Sequence, residues 1–385
     1  MPELPEVERA RKYCEEYLVD KKITHVDTKE DTLVFSDITH DAFAKSILHK
    51  TITGTKRWGK YFVILFDQGP HIVAHFGMSG NIQFEGIKTS QYKRQPESNE
   101  WPPKYYKFIM TCEGDQQVKM AFCDTRRLGR VRLVQDPMNE APIKQLGFDP
   151  ILSLPTLADF IPLVQKRSMP VKALLLDQNF SAGVGNWVAD EILFHARIHP
   201  AQVAAYLDEE ECKRLHDCMK MVCEMAVAVN AEADQFPSDW LFKYRWGKGK
   251  GEGQGVMPNG NKIKYETVGG RTSAFVPELQ KMHGQKRTGE QNDQKAKPKG
   301  GKINKEGEQV KEKHDENGSE AQGAISSTKA TKSRRAKTAI SNDNHTDAKA
   351  DDKMPGKAKD GNQERKNAST DKTVGRRNTR QRQKA

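Results

Sequence analysis

The 385-residue chain predicts an α+β multidomain protein, on three observations. From about residue 22 to 134, short apolar runs rich in β-formers alternate with turns; from Leu157 to Ala233 the spacing becomes helical; and aromatic residues stop at Phe275. These imply an N-terminal two-layer antiparallel β-sandwich with flanking helices, a helical domain, a small β-hairpin and a disordered basic tail. The expected boundaries are 1–137, 138–235, 236–283 and 284–385.

The chain opens "MPELPEVERA", a proline followed by Glu3, Glu6 and Glu8. Proline and acid suit a first helical turn, and Val7, Ala10, Cys14, Tyr17 and Leu18 recur at helical spacing. A second reading is that the start of the chain is itself a reactive group. "KYFVILF", "DQGP" and "HIVAHFGM" form one hairpin pattern, and "YYKFIMTC", "EGDQQ" and "VKMAFC" another. Pro137, Pro142 and Pro150 mark a connector. "ADFIPLVQK", "VKALLLDQ", "VADEILFHA" and "EECKRLHDCMKMVCEMAVAV" follow as helices, then "KIKYETV", "GG" and "RTSAFV" as a last hairpin.

Beyond Gly284 there is no Trp, Phe or Tyr, and Lys plus Arg exceed Asp plus Glu by the full net charge of +11, which leaves the body balanced. Such a tail buries too little apolar surface to offset its ordering entropy. "KSRRAK" and "GRRNTRQRQK" fit nucleic-acid contacts or import signals as well as they fit a solubilising tail. The six cysteines show no CxxC spacing and read as reduced structural thiols; Cys212 and His216, one turn apart, read as helix packing. No apolar run reaches membrane-spanning length, so a soluble intracellular protein is expected.

Several stretches could carry chemistry. In "DQNFSAGVGNWVADEILF" a helix starts near Asn186, and its free N–H groups with the Asn186 amide could bind one phosphate; a tight interhelical turn is the plainer reading. "CDTRRLGRVRL" crowds Arg126, Arg127, Arg130 and Arg132 into seven residues, as duplex phosphates would require or as a solvated edge strand allows. "RWGKYF" adds Arg57 and Lys60, "AHFGMSG" adds His75 and Met78, and "GGRT" lifts Arg271 onto a hairpin tip.

Taken in order, "MPELPEVE", "GKY", "HFGMSG", "DTRRLG", "GVGNWVADEILFHARIHP" and "GGRTSAFVPELQK" resemble the formamidopyrimidine-DNA glycosylase / endonuclease VIII family. The resemblance covers about residues 1–283, and its last motif is most similar to the plant and fungal branch. It implies a helix-two-turns-helix domain and a bifunctional DNA glycosylase/abasic-site lyase that removes oxidised bases during base excision repair, without cofactor. Loss of Met1 would free the Pro2 amine as nucleophile. At pH 7 an α-amino group with a pKa near ~8 is more available than a lysine near ~10.4. Attack on C1′ gives an iminium, an electron sink for β- and then δ-elimination. The resemblance makes Glu3 the acid that opens the sugar, and like-charge repulsion from Glu6, itself structural as is Glu8, is expected to raise it. It makes Lys60 a phosphate contact and proton donor, and His75, Asn186 and Arg271 phosphate contacts, with Arg271 also the δ-elimination donor. Met78 and Arg126 match the wedge that refills the stack after base flipping. Arg127, Arg167 and Tyr105 fall at further DNA-binding positions.

This sequence departs from the family pattern in three places. Leu128 stands where many relatives carry a wedge phenylalanine. Val276 and Leu279 stand where a typical relative has its last zinc cysteines, so a zincless finger held by Trp240, Phe242, Tyr265 and Phe275 is expected, with no metal. Tyr105 replaces a histidine common in bacterial relatives. Expected partners are damaged double-stranded DNA and, through the tail, nucleic acid or import and repair factors, with no membrane. A monomer and nuclear localisation are expected in a eukaryotic host. Against the enzyme stand two blander readings, a silent damage sensor and a chromatin-associated protein driven by its tail.

Overall fold

The computed structural model describes residues 2–88, 100–114, 117–247 and 255–284. The expected basic tail therefore lies outside the described residues.

The first helix, α1 (Leu4–Leu18), buries Val7, Ala10, Cys14 and Leu18 of the stripe read from the sequence, adds Leu4 and leaves Tyr17 half-buried. Eight strands follow: β1 (Ile23–Thr28), β2 (Ile52–Trp58), β3 (Tyr61–Phe66), β4 (His71–His75), β5 (Asn81–Phe84), β6 (Tyr106–Cys112), β7 (Val118–Cys123) and β8 (Arg130–Val134). They form two antiparallel sheets, ordered β1-β6-β7-β5 and β2-β3-β4-β8. Alternate residues of each sheet, among them Phe62, Ile64 and Ile72 from one and Phe108, Met110 and Phe122 from the other, enter a common core. The ring of Phe122 stacks on both Phe108 and Phe76.

A second helix, α2 (His40–Ile47), lies in a stretch that had read as strand. Thr39 caps it by accepting from the Ala42 N–H at 3.2 Å, and Phe43 and Ile47, four residues apart, enter the sandwich core.

The helical domain contains α3 (Leu157–Gln165), α4 (Val171–Leu176), α5 (Asn186–Ala196) and α6 (Glu209–Ala228). Asp208 and Glu211 exchange side-chain and backbone bonds at the start of α6, a reciprocal capping box. Phe160, Trp187, Ile192, Leu215, Met219 and Val222 share one core. Cys212 belongs to it, and His216 donates from Nε2 to the Pro155 carbonyl at 2.9 Å, so this pair packs the helix.

The hairpin consists of β9 (Lys264–Val268) and β10 (Arg271–Phe275), joined through Gly269 and Gly270, both at positive φ. Its apolar cluster differs from the expected one. Phe194, Leu241, Met257, Ile263, Ala274 and Val276 make it, with Tyr265 and Leu279 at its margin. Trp240 and Phe242 instead pack, tilted or edge-on, against Phe236 and Trp187 in the helical core, because the turn Leu241–Lys243 directs only Leu241 toward the hairpin. Phe275 meets the ring of His199. Among the described residues no three His, Cys, Asp or Glu gather where a metal ion could bind. Among them, too, no helix is long and apolar enough to cross a membrane.

Candidate active site

The site is built where three backbone segments approach closely: the start of α1, the β2–β3 turn and the turn before α5. Leu4 N–H donates to the Gly183 carbonyl at 3.1 Å. A Cβ on Gly59 would lie 2.8 Å from that of Ala182, and one on Gly185 would lie 2.2 Å from Cδ of Glu3. A side chain at 59 would force the β2–β3 turn away from the turn before α5, and one at 185 would displace the Glu3 carboxylate.

Glu3 is 2% exposed. Its carboxylate accepts from the N–H groups of Trp187 (3.0 Å) and Val188 (3.1 Å) in the first turn of α5. The helix start that could have bound a phosphate is thus filled by an internal carboxylate, which satisfies the same unpaired donors and the same dipole. Glu3 N–H in turn donates to Glu6 at 2.9 Å, and the Trp187 indole donates to the other Glu6 oxygen at 3.2 Å. Burial first, and the neighbouring Glu3 charge second, push Glu6 up to about 7. Pro2, beside them, is buried.

Lys60 follows Gly59 in the β2–β3 turn and donates to the Val184 carbonyl at 2.9 Å. Burial lowers its pKa; the Glu3 charge opposes this shift and Arg271 adds to it. Lys60, Glu3 and the hairpin tip therefore share one electrostatic environment. Arg57, expected to join Lys60 as a surface cation, is buried instead. Its guanidinium is held by Asp149 and by Glu8 at 2.9 Å, and Asp149 also accepts from the Gly59 N–H at 2.8 Å. Arg57 shapes the turn that carries Lys60, and removing one member of such a buried pair costs about 3–5 kcal/mol.

His75 ends β4, packed on Tyr61, and its Nδ1 accepts from the Gly77 N–H at 3.0 Å. Burial, reinforced by Lys60, Arg130 and Arg132, lowers its pKa to about 4. The ring is neutral at pH 7 with its proton on Nε2, so it can donate one hydrogen bond without a full charge. Asn186 Nδ2 donates to the Thr272 carbonyl at 3.0 Å, which joins the start of α5 to the hairpin beside exposed Arg271. The Asn186 Oδ1 is buried and unpaired.

Met78 and Arg126 are carried on two adjoining turns. Ser79 and Asp124 hydrogen-bond at 2.6 Å, and both accept from the Arg126 N–H at 3.1 Å. Arg126 is exposed, Leu128 is 41% exposed and Tyr105 is 47% exposed. Arg127 is committed to Asp31, at 2.9 and 3.2 Å. Arg167 sits on the α3–α4 connection, half-buried, with its Nε unpaired.

Sequence reasoning missed a buried ionic group beneath the site. Lys172 donates to the Asn186 carbonyl at 3.0 Å and pairs with Asp190, which also binds Arg245 and the Ala274 N–H. This group joins α4, α5 and β10. No spacing rule marks three charges from distant segments as partners.

Residues 1–131 match the formamidopyrimidine-DNA glycosylase N-terminal domain, and residues 146–238 match the helix-two-turns-helix domain of the same enzymes. A formamidopyrimidine-DNA glycosylase of Arabidopsis thaliana is 43% identical over 286 residues, covering 74% of this chain and 72% of that protein. The chain belongs to the formamidopyrimidine-DNA glycosylase family. A family member from Listeria monocytogenes is 34% identical over 233 residues, covering 60% of this chain and 79% of that protein. The fold also matches that of the Lactococcus lactis family enzyme solved noncovalently bound to DNA with an abasic site. That match has a TM-score of 0.59 and 23% identity and covers 72% of this chain and 99% of that one.

Proposed function

We propose that this chain is a bifunctional DNA glycosylase and abasic-site lyase that acts on oxidised bases in double-stranded DNA. Family membership supports the reaction class, and the Glu3 carboxylate, fixed against two α5 amides with Pro2 beside it, carries the assignment to this chain. The Pro2 ring nitrogen attacks C1′ of the damaged nucleotide and the C1′–base bond breaks, the electron pair leaving with the base. Glu3 moves the proton that opens the sugar. The nitrogen lone pair then forms an iminium, which withdraws electrons as the C2′ proton and the 3′ phosphate depart, and the 5′ phosphate follows. Lys60, with its lowered pKa, is suited to give up a proton in these eliminations. Neutral His75, Asn186 and Arg271 hold the strand by its phosphates, while Met78, Arg126 and Leu128 enter the stack.

A duplex with one formamidopyrimidine tests this reading. The expected product is a one-nucleotide gap with phosphate at both ends, formed without alkali. A strand that breaks only after alkali would leave a glycosylase without lyase activity, and an intact strand would remove the enzyme reading.

A further inference from the structure

Two buried carboxylates support the turn that carries Arg126 and Leu128. Asp124 is 1% exposed and accepts from Ser79 Oγ, the Arg126 N–H and, at 2.6 Å, the Gly129 N–H. A Cβ on Gly77, the residue before Met78, would lie 2.3 Å from the Leu128 carbonyl oxygen. The Met78 turn and the Leu128 turn are therefore locked backbone to backbone.

Asp31 is the second carboxylate, and it comes from a distant segment. It is 4% exposed and accepts from the N–H groups of Leu33 and Val34 (both 3.1 Å), from Lys107 of β6 (2.8 Å) and from Arg127 (2.9 and 3.2 Å). Its segment is hydrogen-bonded to β8, since Val131 N–H donates to the Val34 carbonyl and Ser36 N–H to the Val131 carbonyl. Arg127 has φ +57, a left-handed conformation that costs a non-glycine residue about 1–2 kcal/mol. Its bond to Asp31 opposes that cost. With residue 127 fixed there, the directions in which Arg126 and Leu128 leave the backbone are fixed too.

We infer that Asp31 is a positioning residue for the wedge: through Arg127 it holds Arg126 and Leu128 outward, ready to enter the base stack. This rests on the function proposed above. Asp31 touches neither the reacting nucleotide nor the Pro2–Glu3 pair, so its loss affects opening of the stack and not the chemistry that follows. Asp31→Asn keeps the size and the acceptor oxygen, but it removes the charge that Lys107 and Arg127 share.

The test compares full-length wild type with Asp31→Asn, Asp31→Glu and Arg127→Gln. Stack opening is read by 2-aminopurine fluorescence beside a lesion in duplex DNA, and chemistry by borohydride trapping on a single-stranded abasic site, where there is no stack to open. Asp31→Asn is expected to slow duplex opening about tenfold, as a barrier raised by roughly 1.4 kcal/mol would. Its single-strand trapping should stay at the wild-type rate. Asp31→Glu should recover most of the opening. Arg127→Gln breaks the same pair while leaving Asp31 its other three donors, and it should slow opening as Asp31→Asn does. Equal loss in both assays, or wild-type opening in Asp31→Asn and Arg127→Gln, would overturn the inference. Fluorescence reads the wedge whatever chemistry follows, so failure of wild type to trap would count against the proposed function and not against the role of Asp31.

Discussion

Glu6 shows how burial, with a like charge beside it, turns a structural acid into a titrating one. Its folded value near 7 lies above the ordinary carboxylate value of about 4.3, so folding takes up a proton there. By linkage, the stability it contributes is fully present below the unfolded value and is lost as pH rises through about 7. Glu6→Gln removes that loss, because a glutamine resembles the protonated acid. Its unfolding free energy should rise relative to wild type from pH 5 to pH 8, by a gap on the order of a few kcal/mol. A constant difference across that range would mean that Glu6 stays ionised. Asp31 runs the opposite way. Burial alone would raise it, but hydrogen bonds from Arg127, Lys107 and the Val34 and Leu33 amides outweigh that and hold it at about 2. Its contribution is present above the unfolded value of about 3.9 and is lost as pH falls through about 2.

At the scale of elements, the start of α5 decides the site. A helix N-terminus before "NWVADEILF" was legible from the glycines and Asn186, but its anion was not. Glu3 reaches it across 184 residues of sequence, and no local pattern encodes that contact. Gly185→Ala is the corresponding prediction. The φ of −121° suits alanine, yet its Cβ would stand 2.2 Å from Cδ of Glu3. Excision should fall about 100-fold or more, as a displacement near 1 Å can cause, while thermal stability changes far less. Near-wild-type excision would show that Glu3 does not need this seat. The same distinction explains the other misses. Apolar runs bounded by turns foretold the sandwich strands, because strands such as β3 and β4 bury residues on both faces and so read as continuous apolar stretches. Arg57 read as a surface cation because its partner Asp149 lies in another domain. Trp240 and Phe242 were placed in the hairpin because proximity in sequence does not tell which of two adjoining cores a ring enters.

Across the whole molecule, charge is divided between a balanced body and a tail that holds the entire surplus. Truncation after Gly284 should weaken binding to undamaged duplex and flatten its salt dependence, since each released phosphate contact lowers the slope by about 0.9. Lesion excision should survive, because every residue of the proposed site lies before that point. Loss of excision together with the tail would place part of the active site beyond residue 284. The order of sandwich, helices and hairpin was legible because each has its own period of apolar residues. The ties between them were not: Arg57–Asp149, Glu3–Trp187 and Asp190–Ala274 are all long-range polar contacts.

The central claim is that the chain's own second residue is the nucleophile, and borohydride trapping on an abasic-site duplex tests it most directly. The protein should be untagged, with loss of Met1 verified by mass. A covalent adduct should map to the N-terminal peptide, weaken greatly in Pro2→Gly and vanish when an added residue blocks the Pro2 amine. An adduct that maps to Lys60 or elsewhere, or that persists with the amine blocked, would contradict the account.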